Sequence, residues 1–254
     1  MKKEILNALV KQFETKDFIK EDPIQIPHRF TKADDIEIAA FISALFAYGN
    51  RKAFIAKLDF LFDLMDNKPY EFIKKYNAHE ISQNNDFQKI GYRFANADDV
   101  KEVLRILSLL YQTSNLKELF ASEYKQSSSV IGMLSKVINY FHSNADRKLI
   151  SSGFYHLLPS PSNQGAMKRM NMFMRWMIRK SCVDFGLWDF IQKSELLMPL
   201  DVHSGRTARE MGLLNRKAND FKAVIELTLN LKKLDSRDPT KYDFALFGYG
   251  VSKK

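Results

Sequence analysis

The sequence comprises 254 residues, of which 45% are hydrophobic, and its 39 lysines and arginines outnumber 30 aspartates and glutamates to give a net charge of +9. A chain of this size and apolar content can fold around a substantial core, and its positive charge favours an acidic partner, either a nucleic acid or an anionic membrane surface. The single cysteine, Cys182, excludes an internal disulfide and a four-cysteine zinc or iron–sulfur centre within one chain.

The N-terminal segment and the lengths of the apolar runs bear on the cellular location of the protein. Charges at Glu4, Lys11 and Glu14 interrupt the first segment before the apolar block of a signal peptide could form, so we expect no export signal. Uninterrupted apolar runs of about eighteen residues are missing, so we expect no transmembrane helix and no membrane partner. Together with the single cysteine, these features predict a cytoplasmic protein.

Apolar residues recur at helical spacing through most of the chain, and with only 10 glycines and 7 prolines this pattern predicts an all-α fold. Residues 34–50 predict a core-facing helix that stops near Gly49, and a second helix is expected from about Lys52 to Met65. Asn96, followed three residues later by Asp99, predicts the start of a further amphipathic helix.

The segment KRMNMFMRWMIRK, residues 168–180, carries five positive charges and no acidic residue among methionines and aromatic residues. It follows a turn-rich loop at 160–165, which predicts that a helix begins near Lys168. In a helix, Lys168, Arg175 and Arg179 share one face with Met172 between them, and the other methionines and the aromatic residues occupy the remaining faces. We therefore expect a helix that is buried on most sides and carries one basic stripe.

Lys168 lies at the N-terminal end of this predicted helix, where the helix dipole disfavours a cation by ~0.3 kcal/mol or more. One interpretation is a core helix whose basic side chains extend to solvent. The other is functional, because an amine held among apolar and positively charged groups releases its proton more readily and can act as a nucleophile. The residues alone leave both interpretations open.

Asp201 follows Pro199 and precedes a helix that is predicted to end before Gly212, so its position favours an N-cap. A capping carboxylate stays ionised and can also face a cleft. We expect His203 to be a partly buried, hydrogen-bonded histidine, and Arg206 to be a solvated or phosphate-facing residue.

The segment DPTKYDFALFGYG, residues 238–250, predicts a last helix near the C-terminus. Asp238 is expected as its N-cap and Pro239 as its first residue, since proline is favoured at that position. The glycines at the end of the segment are expected to stop the helix.

Four segments, in order along the chain, resemble the helix-hairpin-helix DNA glycosylase superfamily. PLDVHSGRTAREMGLL (199–214) is similar to the signature that contains the catalytic aspartate, and GAMKRMN (165–171) is similar to the segment in which the catalytic lysine opens a helix. DDIEIAAFISALFAYGN and DPTKYDFALFGYG are similar to the first long helix and the last core helix. The combination KRMNMFMRWMIR, DFGLW and PLDVHSGR also resembles a bacterial family of unassigned function.

The resemblance implies that residues 1–254 form one glycosylase-like unit of two interleaved helical lobes with a cleft between them. The separation of 33 positions between Lys168 and Asp201 is similar to that of archaeal-type 8-oxoguanine DNA glycosylases. LPSPSNQGAMK replaces the usual Leu-Pro-Gly-x-Gly hairpin, so the hairpin is non-standard. We expect a looser loop and a helix N-terminus to bind the DNA backbone in its place.

The activity implied by the resemblance is excision of an oxidised purine, 8-oxoguanine, with associated β-lyase activity. Lys168 would form a Schiff base with the sugar and Asp201 would assist it, with no metal and no cofactor. The implied partner is double-stranded DNA that contains a damaged base, bound by a monomer associated with the nucleoid. DNA contacts are expected from Arg169, Arg175, Arg179, His203, Arg206 and Arg209. Base recognition is assigned by residue type to Gln164, Phe154, Tyr48 and Trp188.

Two other functions are compatible with parts of the sequence. A non-catalytic helical DNA- or RNA-binding protein would keep the fold and the charge without needing Lys168. A metal-dependent phosphohydrolase could use Asp201 and His203 as ligands, although the remaining histidines, His28, His79, His142 and His156, show no ligand spacing.

Overall fold

The fold, given by a computed structural model that describes residues 2–163 and 165–253, is all-α, as the sequence predicts. The described residues form no strand, only the isolated bridges Tyr92–Ala95, Gly165–Asp220 and Lys180–Phe185. Within that part of the chain, no helix is long and apolar enough to cross a membrane.

The α-helices are, in chain order, α1 (Lys2–Phe13), α2 (Lys16–Ile19), α3 (Ala33–Phe46), α4 (Arg51–Leu64), α5 (Pro69–Lys74), α6 (Ala78–Gln83), α7 (Ala97–Thr113), α8 (Leu116–Ser127), α9 (Val130–Asn144), α10 (Ser152–Leu157), α11 (Lys168–Ile178), α12 (Val202–Glu210), α13 (Phe221–Lys232) and α14 (Tyr242–Ser252). Short 3₁₀ helices occur at Pro23–Gln25, Pro27–Arg29, Asn85–Lys89, Pro161–Asn163, Lys193–Glu195 and Pro239–Lys241.

The chain divides into two compact units. Unit 1 combines the two ends of the chain, Met1–Asp22 and Pro161–Lys254, and unit 2 is the continuous segment Pro23–Ser160. The sequence offered no linker that would mark this division. The predicted cleft between two lobes stays a prediction.

Unit 2 is built around α3, which is apolar on all sides and buried over most of its length. Its one buried acid, Glu37, accepts hydrogen bonds from the Tyr111 hydroxyl and from the Leu116 amide, so the core satisfies this charge. The predicted start of α7 is confirmed, because Asn96 and Asp99 form a reciprocal capping box. The predicted helices that begin near residues 34 and 52 are also confirmed, as α3 and α4.

In unit 1, α14 packs against α1 and α12. The predicted glycine stop is wrong, because α14 continues through Gly248 and Gly250 to Ser252. A Cβ on Gly248 would lie 2.3 Å from Cγ of Phe13, and one on Gly250 would lie 2.7 Å from Oγ1 of Thr207. These glycines therefore serve close helix packing rather than termination.

Asp238 does not cap the last helix as predicted. Residues 239–241 form a 3₁₀ turn before α14, and the side chain of Asp238 makes no capping hydrogen bond there. Its carboxylate instead pairs with Arg179, because the buried guanidinium needs a counter-charge.

Candidate functional site

Lys168 is the first residue of α11, as predicted, and its side chain is half-buried. The preceding residue, Met167, adopts a left-handed backbone conformation with φ of 51° and offers no side-chain cap. Nζ of Lys168 lies 3.5 Å from Sδ of Met172, one turn along the helix. A thioether is a weak acceptor, so this contact holds the amine against apolar surface without a strong hydrogen bond.

Asp201 is the N-cap of α12, which confirms the prediction from its position. Its Oδ1 accepts from the Ser204 amide at 2.9 Å and from the Ser204 hydroxyl at 3.1 Å, and its own amide donates to that hydroxyl at 2.9 Å. The Asn219 side-chain amide also donates to the Asp201 carbonyl at 3.3 Å. The capping box fixes the orientation of a half-buried carboxylate at the positive end of a helix dipole.

A third ionisable group, Asp243 on α14, links the lysine and the aspartate. Burial raises the pKa of Asp243 to about 7 against the opposing charge of Arg175. The carboxylate of Asp201 also raises this pKa, and the ammonium of Lys168 lowers it. The charges of Lys168 and Asp201 therefore both influence the protonation of one buried carboxyl in unit 1. We call these three residues the candidate site.

A buried ion-pair network around Arg175 contacts Asp243 and supports the candidate site. Nε of Arg175 donates to Asp184 at 3.1 Å, and Nη1 of Arg175 donates to Asp243. The Arg175 guanidinium also lies 4.3 Å from the ring centre of Phe244, a cation–π distance. The side chains of Arg175 and Asp184 are 2% and 0% exposed, so their charges are removed from water and depend on each other.

Arg179 extends the network to segments that are distant in sequence. It donates to Asp184 at 2.8 Å, to Asp238 at 3.0 Å and to Glu14, and its side chain is 5% exposed. Glu14 lies near the N-terminus and Asp238 near the C-terminus, so the network ties the two chain ends of unit 1 together.

The predicted basic stripe is therefore wrong for Arg175 and Arg179. Both arginines point into unit 1 and pair with carboxylates, because a guanidinium on a helix that is buried all round must be neutralised inside the core. They cannot contact DNA phosphates as predicted. In this structure both arginines anchor α11 through ion pairs, and Arg175 also pairs with Asp243.

Of the other predicted DNA contacts, Arg206 is exposed and donates to the Gly250 carbonyl at 2.7 Å, and Arg169 is half-buried. Arg209 donates to the Arg216 carbonyl at 2.8 Å and to the Asn219 side chain at 2.6 Å, so it ties down the loop after α12. Of these residues, Arg206 is the most exposed to solvent. Phosphate contacts by Arg206 and Arg169 remain predictions.

His203 is half-buried, as expected, and its ring lies edge-on to Phe247 with centroids 6.0 Å apart. The expected hydrogen bond is not found at Nδ1, which is buried without a hydrogen-bond partner in the described part of the chain.

Two of the four predicted base-recognition residues are wrong. Phe154 is 0% exposed and Trp188 is 3% exposed, and the Trp188 ring packs edge-on to Phe173 in the core of unit 1. Neither ring can stack on a base without unfolding its surroundings. Tyr48 is half-buried, and Gln164 lies outside the described residues.

The sequence did not lead us to predict Asp243, which belongs to the candidate site, or Asp184, which pairs with Arg175 beneath it. Each is the single acid in an apolar stretch, DFGLW and YDFALF, downstream of the helix that carries Arg175 and Arg179, and this pattern could have pointed to ion pairs. Among the described residues, no group of three or more histidine, cysteine, aspartate or glutamate side chains is arranged to hold a metal ion.

A family model with the description "Protein of unknown function (DUF2400)" matches residues 22–252, nearly the full chain. No curated protein matches the sequence, and no solved structure matches the fold.

Proposed function

We propose that this chain, which belongs to the DUF2400 family, is a DNA N-glycosylase with β-lyase activity that removes an oxidised purine, 8-oxoguanine. The observation that carries the proposal is the convergence of an amine and a carboxylate on one buried group. Lys168 and Asp201 stand at the N-terminal ends of two helices, and their charges act together on Asp243. Imine-forming cleavage of a glycosidic bond requires an amine nucleophile and a group that stabilises the cationic sugar, and Lys168 and Asp201 are residues of these two types.

In the proposed reaction, the damaged nucleotide leaves the base stack, because its glycosidic bond is inaccessible inside the duplex. The ammonium of Lys168 first loses a proton to solvent. The resulting amine bonds to the sugar C1′ while the C1′–N bond breaks, and the base leaves with the bonding electron pair and takes up a proton. Loss of the remaining amine proton and opening of the sugar ring yield a Schiff base. Removal of a C2′ proton then expels the 3′ phosphate, and water releases Lys168.

Asp201 stabilises the positive charge that develops on the sugar. Its Oδ1 is engaged by the amide and hydroxyl of Ser204, and Oδ2 takes no part in this capping box. Asp201 is thereby both a structural cap and a fixed negative charge.

DNA binding would rest on the exposed Arg206 and on the first backbone amides of α11. Arg206 remains exposed although it donates to Gly250, so it can add a phosphate contact. Its replacement by glutamine should weaken DNA binding equally for all sequences and reduce the salt dependence by about one counterion.

The test of the proposed function is borohydride trapping on duplex DNA that contains 8-oxoguanine. A covalent adduct should form with the lesion, not with undamaged DNA, and should be lost in Lys168→Gln. Lys222→Gln is the matched control, since Lys222 is an exposed lysine on α13 outside the site. EDTA should have no effect on the adduct. Folded wild-type protein that binds this DNA but gives no adduct would refute the bifunctional 8-oxoguanine activity.

The alternative is a non-catalytic helical protein that binds DNA or RNA, which the net charge of +9 favours. In that case Lys168→Gln would bind nucleic acid nearly as well as the wild type, and no lesion would give an adduct. Trapping and binding measured on the same two proteins therefore separate the two functions.

A further inference from the structure

The most exposed aromatic side chain of unit 2 lies at the tip of a tight turn. Phe94 is 60% exposed, between Arg93 and Ala95, and Tyr92 and Ala95 pair across the turn with backbone hydrogen bonds of 2.8 and 3.1 Å. Arg93 adopts a left-handed conformation with φ of 53°, which is uncommon for a residue with a long side chain. The turn thus displays a large apolar ring to solvent at some conformational cost.

The turn is held rigidly by two tyrosines. The Tyr48 hydroxyl donates to the Tyr92 carbonyl at 2.7 Å, and the Tyr92 hydroxyl donates to the Tyr48 carbonyl at 2.9 Å. Gly49, with φ of 79°, lies under the side chain of Arg93, where an added Cβ would come within 2.8 Å of Cδ. The two tyrosine hydrogen bonds hold the turn against the segment that follows α3, and the lack of a side chain at Gly49 allows this close approach.

Phe94 is part of an aromatic group that leaves much of its own ring accessible. The ring of His156 lies 4.7 Å from both the Phe94 and the Tyr48 ring centres, and the Phe94 and Tyr48 rings are nearly parallel, at 10°. The guanidinium of Arg93 lies 5.6 Å from the Phe94 ring centre. We define the Phe94 surface as Phe94, Arg93, His156 and Tyr48.

A supported aromatic ring next to an exposed cation matches the chemistry of nucleic acid. Every base presents a flat apolar face that stacks on an aromatic side chain, and the adjoining phosphate attracts an arginine. The surface is a single ring beside a charge rather than an apolar groove, and the chain carries a charge of +9, so a peptide is a poorer fit.

We propose that the Phe94 surface stacks an unpaired base of bound DNA, with Phe94 against the base and Arg93 at the neighbouring phosphate. The proposal rests on the nucleic-acid partner of the proposed function, and it does not require the lysine chemistry. It also changes the predicted role of Tyr48, which supports the turn and the Phe94 ring and is not itself the stacking residue.

The experiment uses the full chain and a duplex that carries 2-aminopurine as an unpaired base. Wild-type protein should quench the fluorescence on binding, because stacking quenches this base. Phe94→Ala should bind about tenfold or more weakly and lose the quenching, whereas Phe94→Trp should retain both. Leu149→Ala is the matched control, because Leu149 is a similarly exposed apolar residue, 53%, in the same unit.

The salt dependence separates the two parts of the surface. Arg93→Gln should lower the slope of log affinity against log salt by about one, and Phe94→Ala should leave that slope unchanged. Circular dichroism of Phe94→Ala should match the wild type, since an exposed ring contributes little to the core.

Wild-type affinity and quenching in Phe94→Ala would overturn the proposal, even if borohydride trapping succeeds. Loss of quenching in Phe94→Ala without any adduct in the wild type would support the stacking surface and refute the lyase. The two proposals therefore fail separately.

Discussion

Nε of Arg175 donates to Oδ1 of Asp184 across 3.1 Å, and the two side chains are 2% and 0% exposed. This pair decides what the basic helix does, because the same guanidinium also holds Asp243, the carboxyl on which the charges of Lys168 and Asp201 converge. The helix α11, whose basic residues were predicted to bind DNA, instead uses Arg175 to hold the buried carboxylates beneath the candidate site.

Replacing Arg175 should destabilise the protein rather than weaken DNA binding directly. Arg175→Gln leaves Asp243 buried without this counter-charge and leaves Asp184 paired with Arg179 alone, a loss of roughly 3–5 kcal/mol in the free energy of unfolding. Urea unfolding followed by circular dichroism measures this loss, and Lys222→Gln on the surface should change it by less than ~0.5 kcal/mol. Wild-type stability for Arg175→Gln, combined with a reduced salt dependence of DNA binding, would restore the phosphate-contact role.

Two substitutions at Asp201 separate its capping role from its charge. Asparagine is as good an N-cap as aspartate, so Asp201→Asn should keep the stability of α12, whereas Asp201→Ala should cost about 1 kcal/mol. Both remove the charge, and both should slow imine formation by about 10²-fold or more. Single-turnover trapping gives the rate and urea unfolding gives the stability. An active Asp201→Asn enzyme would show that the carboxylate acts only as a cap.

The pH dependence of stability should carry the signature of Asp243. Its pKa is raised to about 7 in the folded state, mainly by burial, and is near 3.9 in an unfolded chain. Between these values the folded state binds the extra proton, so this group stabilises the fold below about pH 4 and the contribution is lost as the pH rises to 7.

Asp243→Asn mimics the protonated carboxyl and should remove this contribution. The stability of the variant minus that of the wild type should therefore increase from pH 4 to pH 7, by at most ~4 kcal/mol for a single group, and level off above pH 7. Urea unfolding of both proteins between pH 4.5 and about 8 measures the difference. Parallel curves for the two proteins would mean that Asp243 is ionised throughout this range.

Two glycines that look equivalent in the sequence should respond differently to alanine. A Cβ on Gly153 would lie 2.1 Å from the Phe94 carbonyl oxygen and 2.5 Å from Oδ2 of Asp99, whereas a Cβ on Gly165 has no neighbour within 4 Å among the described residues. Gly153→Ala should cost roughly 1–3 kcal/mol, as in overpacked cores, and Gly165→Ala should be neutral or slightly stabilising. Thermal unfolding of both variants checks this, and equal melting temperatures would contradict the close contact at Gly153.

Local features of the fold were predictable from the sequence. The periodicity of apolar residues predicted α3, α4 and α7, and the residues at helix starts predicted the caps at Asn96 and Asp201, because hydrogen bonds within one turn of the chain decide them. The start of α11 at Lys168 followed in the same way from the turn-rich loop before it.

The exposure of each helix face depends on packing between segments that are distant in the sequence. Helical spacing placed Lys168, Arg175 and Arg179 on one face but could not predict what covers that face. The partners of Arg179 are Glu14, Asp184 and Asp238, which lie 5 to 165 positions away in the sequence. Asp243, a partner of Arg175, lies 68 positions away. Ion pairs of this kind form between segments that meet only on folding, and the cost of burying an unpaired charge then fixes the partners. The burial of Phe154 and Trp188 and the exposure of Phe94 have the same origin, since residue type gives the chemistry of a side chain and packing alone gives its access to a partner.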